Sequence, residues 1–276
     1  MFGSGRVSRI AHLSDVHTLE RERAAYGWGV KFVSIHRPLD GDARIRKLAR
    51  ALALAKSSGA DHVVVSGDLT EMGTRAQFAT FAEVLDASGI APHTVTLVPG
   101  NHDAYTEGDA WSRALAGPLR AYAATSAVRP GQVVERSGFV ILPVDTSRFQ
   151  NVALSGGELH ADVARTLAAR ITDHTFRDKP VIVVTHHPPF SHAQRVWQYI
   201  DGLRGGARLF DVLSRNPHVQ VLHGHMHRAL DRIIGGLGKS RVFGAPATVE
   251  DREGAPRIRI YDVGPAGLES TGILTG

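Results

Sequence analysis

The chain has 276 residues, 43% hydrophobic and 21% charged, which suits one domain with a sizeable core and at most a small appendage. It has no cysteine, which excludes disulfides, thiolate metal ligands and a cysteine nucleophile. The formal net charge of +5 is carried by scattered arginines without a dense basic block, so a nucleic-acid groove is not expected and the charge reads as solvated surface.

The chain begins MFGSGRVSRIAHLSD, moving straight into an apolar strand at 7–14 with no signal-peptide pattern. With no apolar run near the ~20 residues a bilayer span needs, the expectation is a soluble, cytoplasmic protein. Residues 18–39, rich in aromatic and basic side chains, form a long insertion, read as a lid or a peripheral hairpin. Helical and strand-like patterns then alternate: helix 41–58, strand 62–66, helix 74–88, strand 94–98, helix 109–124, strand 139–144, helix 157–173, strand 181–185, helix 207–215 and strand 219–222. Short strands follow at 229–235, 241–244 and 257–263. Strand–helix alternation followed by a β-rich tail predicts two packed sheets flanked by helices, in one domain spanning 1–276.

Histidines are numerous, 15 in all, and several fall beside Asp, Asn and Gly at predicted strand ends. Strand one ends in Asp15-Val16-His17, where two side chains two residues apart on an extended chain can grip one cation. Strand two ends in Gly67-Asp68, and strand three in Pro99-Gly100-Asn101-His102-Asp103. Further on come Thr185-His186-His187-Pro188-Pro189 and His223-Gly224-His225-Met226-His227. Adjacent imidazoles at tight turns need partners for their ring nitrogens, which points to metal ligation. All five segments are expected on the same side of a parallel-type sheet.

Taken in this order the segments resemble the calcineurin-like metallophosphoesterase superfamily, whose pattern is D-x-H, G-D, G-N-H-D/E, an isolated His, and G-H-x-H. The resemblance implies a four-layer α/β/β/α sandwich of two mixed sheets flanked by helices. It also implies two metal ions, drawn from Mn, Fe, Zn, Co or Ni. Asp15, His17, Asp68 and His227 would hold the first; Asp68, Asn101, His186 and His225 would hold the second, with Asp68 bridging. Such a pair lowers the pKa of a bridging water for in-line attack on phosphorus. His102 is then the expected general acid for the leaving alkoxide, or a stabiliser of transition-state charge, with Asp103 either orienting it or capping a turn. His187 and His223 are expected to support ligands, while His36 and His192 could reach substrate.

The run GDLTEMGTRAQFATFAEVLDASG followed by VPGNHD is similar to the branch containing bacterial class III cyclic nucleotide phosphodiesterases and glycerophosphodiesterases. That branch implies a phosphodiesterase of small soluble diesters, cyclic nucleotides first. The insertion departs from it and keeps an alternative open: a pyrophosphatase of the UDP-2,3-diacylglucosamine type, with residues 26–36 touching a membrane surface. A non-catalytic scaffold and a DNA nuclease of the same fold are weighed and set behind these. The expected partners are a small phosphodiester, a membrane met peripherally, and a second copy of the chain.

Overall fold

The computed structural model describes residues 7–21, 26–35, 37–234, 241–249 and 254–276. Along these, β1 (Ser8–Leu13) leads through α1 (Trp28–Val33) and α2 (Gly41–Ser57) to β2 (His62–Ser66), α3 (Arg75–Ala87) and β3 (Val95–Val98). After α4 (Ala110–Ala116) come β4 (Val134–Arg136), β5 (Phe139–Pro143), β6 (Gly157–Glu158) and α5 (Ala161–Ile171). Next are β7 (Val181–Val184), α6 (Arg195–Ile200), β8 (Leu203–Arg204), α7 (Gly206–Arg215) and β9 (Val219–His223). The chain closes with β10 (Leu230–Arg232), β11 (Val242–Gly244), β12 (Arg257–Gly264) and β13 (Gly267–Thr275).

The strands build two large mixed sheets, ordered β13-β12-β1-β2-β3 and β10-β11-β9-β7-β5-β4. Each strand with an apolar run is buried on both faces, and its alternate residues go to different cores. Ile10, Val64 and Val98 of the first sheet meet Ile141, Ile182, Val184 and Leu222 of the second in a core between the sheets. Their neighbours Val63, Val65 and Leu97 turn outward against Leu48, Phe81 and Trp111 of α2, α3 and α4. On the other side Val181, Val183 and Val221 pack on Leu167, Leu209 and Leu213 of α5 and α7. The result is the expected α/β/β/α sandwich.

Side-chain caps set two helix starts. Asp40 accepts from the Ala43 N–H at 2.9 Å, and Thr74 from the Gln77 N–H at 3.2 Å. The helix expected over 109–124 stops at Ala116 and resumes as a 3-10 turn at Arg120–Thr125. Gly117-Pro118 lies between, and a proline can neither donate to the helix ladder nor clear the preceding turn. The helix expected from 157 starts at Ala161, because Gly157 and Glu158 pair with Leu203 and Arg204 as strand. Within the insertion, 26–35 includes the short helix α1, and none of its residues is buried. His36 and the far end of the strand expected over 229–235 lie outside the described residues.

One core histidine gives the fold a pH signature. His62 is buried between Thr96 Oγ1, at 2.9 Å from its Nε2, and the Arg136 Nε, which donates to its Nδ1 at 3.1 Å. Burial, then the Arg136 charge, lowers its pKa to about 3. The unfolded chain therefore binds an extra proton between about 3 and the ordinary value of 6.5. This stability is fully present above that window and lost as pH falls through it, on the order of 3 kcal/mol by pH 4. Urea unfolding across this range should show that slope, and His62→Gln should flatten it; an unchanged slope would contradict this assignment.

Candidate metal centre

The ligand-bearing loops are locked together by backbone. Asp15 N–H donates to Gly67 O at 3.1 Å, and Val16 and His17 N–H both reach Asp68 O, at 2.9 and 2.8 Å. A side chain at Gly67, which has φ +97°, would collide with the His186 ring, so only glycine lets these two loops approach so closely. Among the described residues, the non-glycine residues with positive φ are Asp15, His17, Asp68, His225 and His227. Each such residue stores on the order of 1 kcal/mol, a strain that gathers at functional sites. All five were singled out by the sequence as ligands.

The loops come from both sheets rather than from one. Asp15, His17, Asp68 and Asn101 follow β1, β2 and β3 of the first sheet, while His186, His225 and His227 follow β7 and β9 of the second. One set, Asp15, His17, Asp68 and His227, brings a ligand atom from each within 4.8 Å of the others. Here Asp15 Oδ1 is 3.2 Å from His227 Nε2. On the other side, His186 Nε2 is 3.3 Å from Asp68 Oδ2 and 3.2 Å from Asn101 Oδ1. The same Asp68 oxygen is 3.9 Å from His17 Nε2. A single carboxylate oxygen thus faces both sets. The His225 ring lies beside that of His186, with centroids 5.2 Å apart.

The electrostatics fit cations. Asp15 Oδ1 and both ring nitrogens of His17 are buried without a hydrogen-bond partner. Leaving such atoms unmet costs about 1–3 kcal/mol each, and a cation satisfies a carboxylate oxygen and an imidazole lone pair together. Burial, then Arg37 and His102, holds His17 well below the usual histidine range, so it is neutral and able to ligate. Burial resists protonation of His186, but Asp68 and Asp15 overcome it and raise its pKa to about 9. The carboxylates therefore present surplus negative charge at the point where a cation would sit. His186 Nδ1 lies 2.8 Å from the Ser66 carbonyl, which fixes the hydrogen there and leaves Nε2 to ligate.

His102 stands over this centre, its Nε2 4.0 Å from Asp68 Oδ2. Its Nδ1 is 2.8 Å from the backbone oxygen of Glu71, an acceptor, so Nδ1 carries hydrogen. Nε2 can donate only when the ring is the imidazolium; burial lowers the His102 pKa below the ordinary histidine value, and the Asp68 and Glu71 carboxylates oppose that shift only in part. Of the two roles expected of Asp103, the contacts match the turn-capping one rather than the orienting of His102. Its carboxylate instead accepts from the N–H groups of Leu69, Thr70 and Gly100 and from Thr70 Oγ1, at 2.7–3.0 Å. Four local donors hold it on the two loop backbones, so it shapes the strand ends and leaves the ring to Glu71.

Glu71, in the run GDLTEMG, supports the site although its place in the sequence gives no sign of it. It is fully buried and paired with Arg37 at 2.6 Å and with Arg44, whose Nη1 also donates to the His17 carbonyl at 2.7 Å. Arg37 thus ties the insertion to the support of His17 and His102. Glu71→Ala would strand two buried guanidinium groups, and a loss of about 3–5 kcal/mol is expected in denaturant unfolding; a loss below about 1 kcal/mol would contradict this. Both nitrogens of His187 are engaged, Nδ1 by Thr146 Oγ1 at 2.9 Å and Nε2 by Ser155 O at 3.0 Å. His223 bonds Gly224 O at 2.8 Å, and His192 Nε2 lies 3.5 Å from Asp201 Oδ2 at the edge of the site.

At the joint edge of the two sheets Asp68 thus lies between groups of Asp and His residues able to hold metal, as a metal-dependent phosphoesterase requires. The chain belongs to the calcineurin-like phosphoesterase family, whose model matches residues 8–229. It is 24% identical over 247 residues to a Synechococcus protein named "probable cyclic nucleotide phosphodiesterase", covering 89% of this chain and 82% of that one. It is 26% identical over 219 residues to a glycerophosphodiester phosphodiesterase of Enterobacter lignolyticus, covering 79% and 70%. In fold it is similar to a dimetal phosphatase from Danio rerio, with a TM-score of 0.67, 15% identity and coverage of 96% and 98%.

Proposed function

We propose that the chain is a phosphodiesterase of small soluble diesters in the cytoplasm, cyclic nucleotides first among them, working with two ions drawn from Mn, Fe, Zn, Co or Ni. The observation that carries this is Asp68 Oδ2, which faces His17 and His186 at 3.9 and 3.3 Å with His102 Nε2 4.0 Å away. Asp15, His17, Asp68 and His227 would hold one ion, and Asp68, Asn101, His186 and His225 the other. When bound, such a pair supplies Lewis-acid charge and an activated water. His102 donates a proton from Nε2 to the leaving oxygen, and Glu71 holds its ring by the backbone oxygen. The names of the relatives favour diesters, and a diester brings less negative charge to the buried carboxylates than a monoester.

The test is kcat/KM on bis-p-nitrophenyl phosphate against p-nitrophenyl phosphate under one Mn condition, followed by 3′,5′-cAMP, 2′,3′-cAMP and a glycerophosphodiester. The diester should be preferred; a clear monoesterase would overturn the reading. One observation favours a lipid-linked nucleotide instead. On α1 and just beyond it, Trp28, Phe32 and Ile35 are 73%, 42% and 67% exposed, with Lys31 on the same helix. On that reading the protein sediments with anionic vesicles at low salt.

A further inference from the structure

His225 is held from outside the ligand set. Its Nε2 lies 2.9 Å from Asp201 Oδ1 and 3.1 Å from the Asp201 backbone oxygen. Both are acceptors, so Nε2 must carry the ring hydrogen, and in the neutral ring Nδ1 is left with the lone pair. His186 is the reverse: its Nδ1 faces a carbonyl and its Nε2 faces Asp68 and Asn101. Asp201 is itself fixed. Its N–H closes α6 on Trp197 O at 2.9 Å, and Ser155 Oγ donates to its Oδ1 at 2.5 Å. Ser155 is in turn bonded by His187 Nε2 at 3.0 Å and donates its N–H to Ile200 O at 2.9 Å. The far oxygen, Oδ2, meets His192 at 3.5 Å.

We infer that Asp201 is a positioning residue for the second metal ion: by taking the Nε2 hydrogen of His225 it selects the tautomer that ligates through Nδ1. This rests on the two-ion reading above, but it concerns metal affinity and tautomer rather than substrate. Carboxylates hydrogen-bonded to ligating histidines orient the ring and raise its basicity, and their loss typically weakens metal binding ~10–100-fold. At the other ligating histidine a backbone carbonyl does this work; at His225 a side chain does, and it can be replaced.

The experiment is Zn binding by calorimetric titration of metal-depleted protein, with long-range 1H–15N spectra of the imidazoles, for wild type, Asp201→Ala and Asp201→Asn. One of the two sites should lose about 10–100-fold in Asp201→Ala while the other is unchanged. Asp201→Asn, whose amide oxygen can still accept from Nε2–H, should recover part of it. The wild-type spectrum should show His225 with hydrogen on Nε2. Wild-type affinity at both sites in Asp201→Ala would overturn the inference, as would hydrogen on His225 Nδ1 in the wild type. Complete loss of one ion with the His225 tautomer unchanged would make Asp201 a ligand and overturn it too. A protein that behaves as expected here yet cleaves no diester would contradict the proposed function and leave this inference standing.

Discussion

Asp68→Ala is expected to lower kcat/KM on a diester by about four orders of magnitude, equivalent to about 5–6 kcal/mol of transition-state stabilisation. The size follows from geometry: Asp68 Oδ2 is within 4.0 Å of His17, His102 and His186, so its loss removes a carboxylate that faces both proposed ligand sets. The variant should bind less than one equivalent of metal where the wild type binds two. His17→Ala removes a ligand from one side and should weaken mainly that ion, with a smaller loss of rate. Elemental analysis of dialysed protein, read beside the rates, separates the two variants. Equal metal loss from both would contradict the bridging role.

His102→Ala should keep both ions, because His102 stands outside the two proposed ligand sets, its Nδ1 bonded to Glu71 O at 2.8 Å and its Nε2 4.0 Å from Asp68 Oδ2. Loss of a general acid typically costs ~10²–10⁴-fold, and it should fall on kcat. The loss should depend on the leaving group. A nitrophenolate departs without a proton, whereas a ribose alkoxide needs one, so cyclic nucleotide hydrolysis should suffer far more than hydrolysis of the chromogenic diester. Equal losses would place His102 on the non-bridging phosphoryl oxygens as a charge stabiliser. Loss of one ion in the variant would make it a ligand.

Much of the fold was legible because the central strands are short β-branched runs buried on both faces, and such runs have few alternatives. The five ligand segments were legible because each closes one of those strands, where Gly67 and its like let loops meet. What the chain order could not reveal is which sheet each strand joins, and so the centre spans two sheets where one was expected. The break at Gly117-Pro118 is written in the sequence, where the proline interrupts the helical pattern. Strand β13 was missed because seven of its nine residues are exposed on a sheet edge, leaving little apolar pattern to read. Glu71, Arg37 and Asp201 carry no local signature: their roles come from contacts with residues distant in the chain. Asp103 shows the converse: its place next to His102 in sequence leaves open whether its carboxylate turns to the ring or to the loop backbones, and it turns to the backbones.

The central claim is that the ligand sets around Asp68 hold two ions and that hydrolysis needs both. Metal-depleted protein titrated with Mn, with bound metal counted by mass spectrometry and diester hydrolysis measured at each point, tests it directly. Activity should be absent without metal and should reach its plateau only as the second ion per chain binds. Full activity in the presence of a strong chelator, with no metal bound, would contradict the account.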